Sequence, residues 1–199
     1  MPAVLNVEQL IRDHLAESAA TYQRVSAECL DSIRTAAGMM SDVFRGGGKL
    51  LICGNGGSAA DAQHVAAELV SRLTKDFDRP GLPAIALTTD TSFLTAYAND
   101  IDFEGVFERQ VQALGREGDL LIGISTSGNS PNVLRAVAYA KAHGMKTIGL
   151  TGNKGRLASE ADCAVAVPSA DTQYIQEALL AVEHIACEIV ERTLFGAAS

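Results

Sequence analysis

The chain has 199 residues, of which 47% are apolar, and a formal net charge of −8. That apolar content excludes a disordered chain, and the length suits one α/β domain with a full core. No Lys/Arg cluster favours nucleic acid, no apolar run approaches the ~20 residues of a membrane span, and no secretory signal pattern opens the chain. A cytoplasmic protein with neither a nucleic-acid nor a membrane partner is expected. Cys29, Cys53, Cys163 and Cys187 lie far apart in apolar segments, without a CxxC pair. They read as small core residues in a reducing compartment.

Helical periodicity runs from Asn6 to about Arg24 and from Ser26 to about Arg45, where Gly46-Gly47-Gly48 ends it. The pattern then alternates. Lys49 to Cys53 reads as strand, Ser58 to Leu73 as helix and Ala84 to Leu87 as strand. Short helices are expected near Ser92 to Ala98 and Phe103 to Leu114. Strand Leu120 to Ile124, helix Asn132 to His143 and strand Lys146 to Leu150 follow. A short helix near Arg156, strand Cys163 to Val167 and a helix from about Thr172 to Leu194 complete the pattern. Short apolar strands alternating with helices predict an α/β three-layer sandwich, its parallel sheet flanked by helices, with an N-terminal helical extension. One domain is expected, with helices in 1–46 and the α/β core in 47–199.

In such a sheet, ligands sit beyond the carboxyl ends of the strands. Those loops read Gly54-Asn55-Gly56-Gly57-Ser58, Thr88-Thr89-Asp90-Thr91-Ser92, Ser125-Thr126-Ser127-Gly128-Asn129-Ser130 and Thr151-Gly152-Asn153. All are small, polar and rich in hydroxyls or amides, whereas Gly115-Arg116-Glu117-Gly118 at the other end is an ordinary turn. The serine loop precedes Pro131, which suits the first position of a helix. Hydroxyls beside the free N–H groups of a helix start form a nest for a dianionic phosphate. A Ser/Gly-rich loop with a helix cap is the simpler alternative. Polyol-binding amides beside a phosphate nest point to a sugar phosphate. Neither G-x-G-x-x-G nor a P-loop lysine motif is present.

His64 and Glu68 are four residues apart and project from one helix face. They could bind a divalent metal, act as acid and base, or be a plain surface pair. His184 lies between apolar residues on the last helix, where a satisfied core histidine is the plain reading. Glu183, Glu188 and Glu191 read as solvated. His14 and His143 are expected at the surface without a role.

Several strings together resemble the phosphoheptose isomerases, members of the sugar isomerase (SIS) fold. They are Gly54-Asn55-Gly56-Gly57-Ser58-Ala59-Ala60-Asp61-Ala62-Gln63-His64, Arg79-Pro80-Gly81-Leu82-Pro83-Ala84, Asn99-Asp100, Gly123 to Ser130, and Ile175-Gln176-Glu177-Ala178. They run in the family's order and spacing from about residue 49 onward. The resemblance implies isomerisation of sedoheptulose 7-phosphate to D-glycero-D-manno-heptose 7-phosphate, the first step towards activated heptose for lipopolysaccharide or other surface glycans. It implies one Zn2+ per subunit held by His64, Glu68, Gln176 and His184, and Glu68 and His184 as catalytic groups. Substrate contacts map to Asn55, Gly56, Gly57, Glu68, Asn99, Asp100, Ser125, Thr126, Ser127, Ser130 and Gln176. A homotetramer with active sites shared between subunits is also implied. The chain departs from many members at Leu179, where a histidine is common, and at Tyr97-Ala98 before Asn99.

An enediol route between ketose and aldose needs a base, a proton donor for the oxygens and stabilisation of enediolate charge, which these residue types can supply. On one straight helix, Gln176 and His184 stand roughly 12 Å apart along the axis and roughly 80° apart around it. One metal reaching both would strain a single chain, so ligands from two chains are expected. Three other readings use the same fold: a non-catalytic protein binding the bacterial replication initiator, an isomerase of another phosphosugar, and a sugar-phosphate-sensing regulator. Retention of Glu68 and His184 argues against the first, and the absence of a basic DNA-binding module argues against the last.

Overall fold

The computed structural model describes residues 5–76 and 78–196. Two helices, α1 (Val7–Glu28) and α2 (Leu30–Arg45), precede the first strand. Then come β1 (Leu50–Gly54), α3 (Gly57–Val70), β2 (Ala84–Ala86), α4 (Thr91–Asp100), α5 (Val106–Leu114) and β3 (Leu120–Ser125). The remaining elements are α6 (Pro131–Ala142), β4 (Lys146–Gly152), α7 (Leu157–Glu160), β5 (Cys163–Val167) and α8 (Thr172–Phe195). The expected order of strands and helices is observed. The clearest boundary shift is the end of α3, at Val70 rather than Leu73.

The five strands form one parallel sheet in the order β2-β1-β3-β4-β5. Alternation along each strand separates two apolar layers. Leu50, Ile52, Leu120 and Ile122 join the layer beneath α2, α3 and α8. Leu51, Cys53 and Leu121 join the layer beneath α5, α6 and α7. Both faces are covered, which is why the strands read as unbroken apolar runs. This is the three-layer sandwich with a helical extension that the pattern predicts.

All four cysteines are buried and free, Cys53 in the layer under α6 and the other three in the opposite layer. Two acids depart from expectation. Glu183 is 3% exposed and Glu191 is 0% exposed, so neither is solvated. Both lie on the inward stripe of α8, with Ile175, Leu179, Val182 and Val190. Glu188 does face outward, paired with Arg192.

The strand order reverses between β1 and β3, with β2 on one side and β4 on the other. Their loops therefore diverge to opposite faces and open a crevice. The glycine loop after β1 and the serine loop after β3 border it. Helix α6 approaches β3 closely at Gly123, where an added Cβ would stand 2.8 Å from Val133 Cγ1. Gly123→Ala should destabilise the fold by ~1–3 kcal/mol through overpacking. A lowered urea midpoint with an unchanged denaturant slope is the expected result.

Candidate active site

Helices α3 and α8 lie side by side and run parallel, because each returns across the same face of a parallel sheet. Their pairing can be followed from one end to the other. Gln176 on α8 meets Ser58 and Asp61 at the start of α3: its Nε2 donates to Asp61 Oδ2, and Ser58 Oγ donates to its Oε1 at 3.4 Å. Two turns later, His184 meets His64, with the two Nε2 atoms 2.7 Å apart and the rings edge to face. Glu68 Oε1 stands 3.6 Å from His64 Nε2. One ligand atom from each of His64, Glu68 and His184 lies within 4.8 Å of the other two.

Two imidazoles and a carboxylate form a donor set suited to a borderline divalent cation such as Zn2+, so the residues fit a metal. All three side chains belong to one chain. His184 joins the triad, while Gln176, two turns earlier on α8, is engaged with Asp61 and Ser58. No second chain is needed to bring His184 to His64.

At the serine loop, Ser125 Oγ lies 2.9 Å from Ser130 Oγ and 3.4 Å from Ser127 Oγ. Ser130 stands at the N-cap of α6 but makes no capping bond with its side chain, and Pro131 follows it. The three hydroxyls thus converge at a helix start whose N–H groups point the same way. Gly128 makes the turn with φ +66°, and an added Cβ would lie 2.6 Å from the Lys154 carbonyl. Thr126 accepts the Gly152 N–H through its carbonyl, tying the loop to the end of β4.

The glycine and serine loops are joined by amides. Asn55 Nδ2 donates to Asn132 Oδ1, and Asn132 Nδ2 donates to Asn55 Oδ1, each at 2.9 Å. Gly57 lets Gln176 come close, since a Cβ there would stand 3.1 Å from its Oε1. Gly56 takes the positive φ, +57°, that the turn into α3 requires. Asn99 and Asp100 are not brought to either cluster. They bond each other at the exposed end of α4, whose Phe93, Leu94 and Tyr97 hold it on the layer below.

A SIS domain family model matches residues 13–152. A phosphoheptose isomerase of Burkholderia pseudomallei (strain K96243) is 54% identical over 197 residues, 98% of this chain and 89% of its own. The chain belongs to the phosphoheptose isomerase family. Among solved structures, the phosphoheptose isomerase of Neisseria gonorrhoeae superposes with a TM-score of 0.88 at 43% identity, covering 94% of this chain and 99% of that one. The phosphoheptose isomerase of Francisella tularensis gives 0.90 at 36% identity, covering 94% and 100%.

Three residues near these groups have no role in the sequence reading. Asp61 is the nearest: burial raises its carboxyl to about 6, against the lowering effect of His64. Its place three residues before His64 was the available signal. Asn132 offered none beyond an amide after Pro131. Glu183 is the third. Among the described residues neither of its carboxylate oxygens has a hydrogen-bond partner, and it lines a cavity of about 20 Å³ with Ile33, Met40, Val65 and Leu150. Burial, reinforced by the Asp61 carboxylate, pushes its pKa up to about 9.

A raised acid in the folded state stabilises fully below its ordinary value of 4.5 and loses that contribution as pH climbs towards about 9. Glu183→Gln carries no such loss. Its stability relative to the parent should therefore rise steadily between pH 5 and pH 9, as read by denaturant unfolding at each pH. A constant difference across that range would show Glu183 ionising as freely in the fold as outside it.

Proposed function

We propose that this chain converts sedoheptulose 7-phosphate to D-glycero-D-manno-heptose 7-phosphate, the first step towards activated heptose for a surface glycan such as lipopolysaccharide. The observation that carries this reading is the convergence of Glu68, His64 and His184 on the α3–α8 seam. The names of relatives that match nearly the whole chain support the substrate. Retention of both Glu68 and His184 sets it apart from a non-catalytic binding protein on this fold.

The phosphate sits against Ser125, Thr126, Ser127 and Ser130 at the start of α6. Asn55, Gly56, Gly57 and Gln176 line the sugar, and Asn99 and Asp100 close the far wall. Glu68 and His184 share two proton movements: one from C1 to C2 through a cis-enediol, the other between the two oxygens. His64, Glu68, Gln176 and His184 would hold one Zn2+ per subunit, which supplies Lewis-acid polarisation of the carbonyl when bound. Asp61 takes the Gln176 amide N–H, so the atom Gln176 would offer a metal is Oε1, which also accepts from Ser58 Oγ at 3.4 Å.

The helices in 1–46 and the core in 47–199 act as one domain, joined where His14 Nε2 and Ser18 Oγ meet the Glu177 carboxylate at 2.8 and 2.6 Å. Val7, Leu10, Ile11 and Leu15 of α1, with Leu5 just before it, leave an exposed apolar stripe. That stripe suits a homotetramer in a cytoplasmic setting. Sharing of sites between subunits then concerns the pocket walls, Asn99 and Asp100 above all, since His184 is supplied in the same chain.

Purified protein supplied with Zn2+ should interconvert the two heptose phosphates in both directions, followed by NMR. No conversion of either would overturn the reading. Glu68→Gln and His184→Gln should each lower kcat by ~10²–10⁴-fold with the fold intact. Ser127→Ala and Ser130→Ala should raise KM more than they lower kcat, because the phosphate is held alike in ground and transition states. A substrate analogue without phosphate should not distinguish the serine variants from the parent.

A further inference from the structure

The last turn of α3 carries Glu68, and one side chain holds that turn by its backbone. Arg79 Nη2 donates to the Glu68 carbonyl and Nη1 to the Leu69 carbonyl, each at 2.9 Å. These are helix-end carbonyls with no partner inside the helix. A guanidinium at that end also complements the helix dipole. The Leu82 N–H adds a second donor to the Leu69 carbonyl at 3.0 Å.

Arg79 is in turn fixed from α8. Its Nε and Nη2 donate to Glu191 Oε1 at 2.9 and 2.7 Å. Glu191 further accepts the Leu73 N–H, the Thr74 N–H and the Thr74 hydroxyl. The two side chains are 0% and 1% exposed. A buried ion pair is tolerated when its hydrogen bonds are satisfied, as here. Glu191 stands seven residues after His184, two turns along the same face of α8. The α3–α8 seam is thus pinned at one point by the His64–His184 contact and at the next by Arg79 and Glu191, with Glu68 between them.

We propose that Arg79 and Glu191 are positioning residues for Glu68: the pair sets where the last turn of α3 stands relative to His184, and so the geometry of the ligand triad. This rests on the reading of Glu68 and His184 as ligating and reacting groups. A purely structural pair would act on stability alone. A pair bonded to the carbonyl of Glu68 itself acts on metal affinity and turnover as well.

Arg79→Lys keeps the charge but loses the planar fork, and Glu191→Gln keeps the size but loses the charge. Co2+ serves as the probe, read by its visible absorption and by calorimetry, alongside kcat and KM for sedoheptulose 7-phosphate. Each variant should weaken Co2+ binding by about tenfold or more and alter its absorption, as loss of groups that orient metal ligands does. Turnover should fall with KM little changed. Val111→Ala, in the opposite apolar layer, is the control for lost stability and should leave Co2+ binding as in the parent. Thr74→Val removes only a hydroxyl donor to Glu191, so it tests the pair where the larger changes prevent folding. It should weaken Co2+ binding by about twofold or more, on the milder end of the same effect. Native Co2+ affinity and absorption in the folded variants, or losses no greater than in Val111→Ala, would overturn the proposal. Absence of isomerase activity in the parent would sink the functional reading instead, and the Co2+ comparison would still judge the pair.

Discussion

A parallel sheet imposes one direction on every helix that follows a strand, and the site depends on that constraint. Helix α3 follows β1 and α8 follows β5, so both run back from the same edge and lie parallel. Contacts therefore follow one another in the same order along both helices. Ser58 and Asp61 meet Gln176, His64 meets His184, and Arg79 reaches from beyond the end of α3 to Glu191. Antiparallel helices would have matched the start of one with the end of the other. The His64–Glu68–His184 cluster stands on packed helices, whereas the serine loop stands on a strand end, so the two have separate supports.

The acids in this seam are not equivalent, and their environments account for the difference. Glu191 is deeply buried yet held below the ordinary carboxylate range, because backbone N–H groups, the Thr74 hydroxyl and Arg79 outweigh its desolvation. Glu183, two turns earlier on the same stripe, has no donor among the described residues and is raised. Asp61 lies between these cases, with one amide donor and a nearby imidazole. Burial alone therefore predicts neither direction; the count of donors around each carboxylate does.

The strands, their order along the chain and the loops at their carboxyl ends were legible because period and turn chemistry are local properties. Leu120 to Ile124 reads as buried strand from five residues, and the serine loop declares itself by composition. The burial of Glu183 and Glu191 was not legible from their chemistry. Yet both fall on the spacing of Ile175, Leu179, Val182 and Val190, so periodicity placed them inside while their charge argued for solvent. What settles Glu191 is Arg79, 112 positions away in sequence and adjacent in space. The Asn55–Asn132 amide pair escaped for the same reason: the pairing of two loops is a property of strand order, which no local window contains. Asn99 and Asp100 illustrate the converse, since a motif names them and α4 holds them apart from both clusters.

The distribution of the thiols has a kinetic consequence. Cys53 is the sole cysteine of the layer beneath α5 and α6, while Cys29, Cys163 and Cys187 belong to the layer beneath α2 and α8. Burial pushes Cys53 and Cys187 up to about 12, so each is inert to thiol reagents until its surroundings open. Labelling of Cys53 therefore times the opening of one side of the sheet, and labelling of Cys187 times the other. If the two layers part independently, the native protein carries two clocks that run at different rates; if the sheet fails as a unit, they strike together.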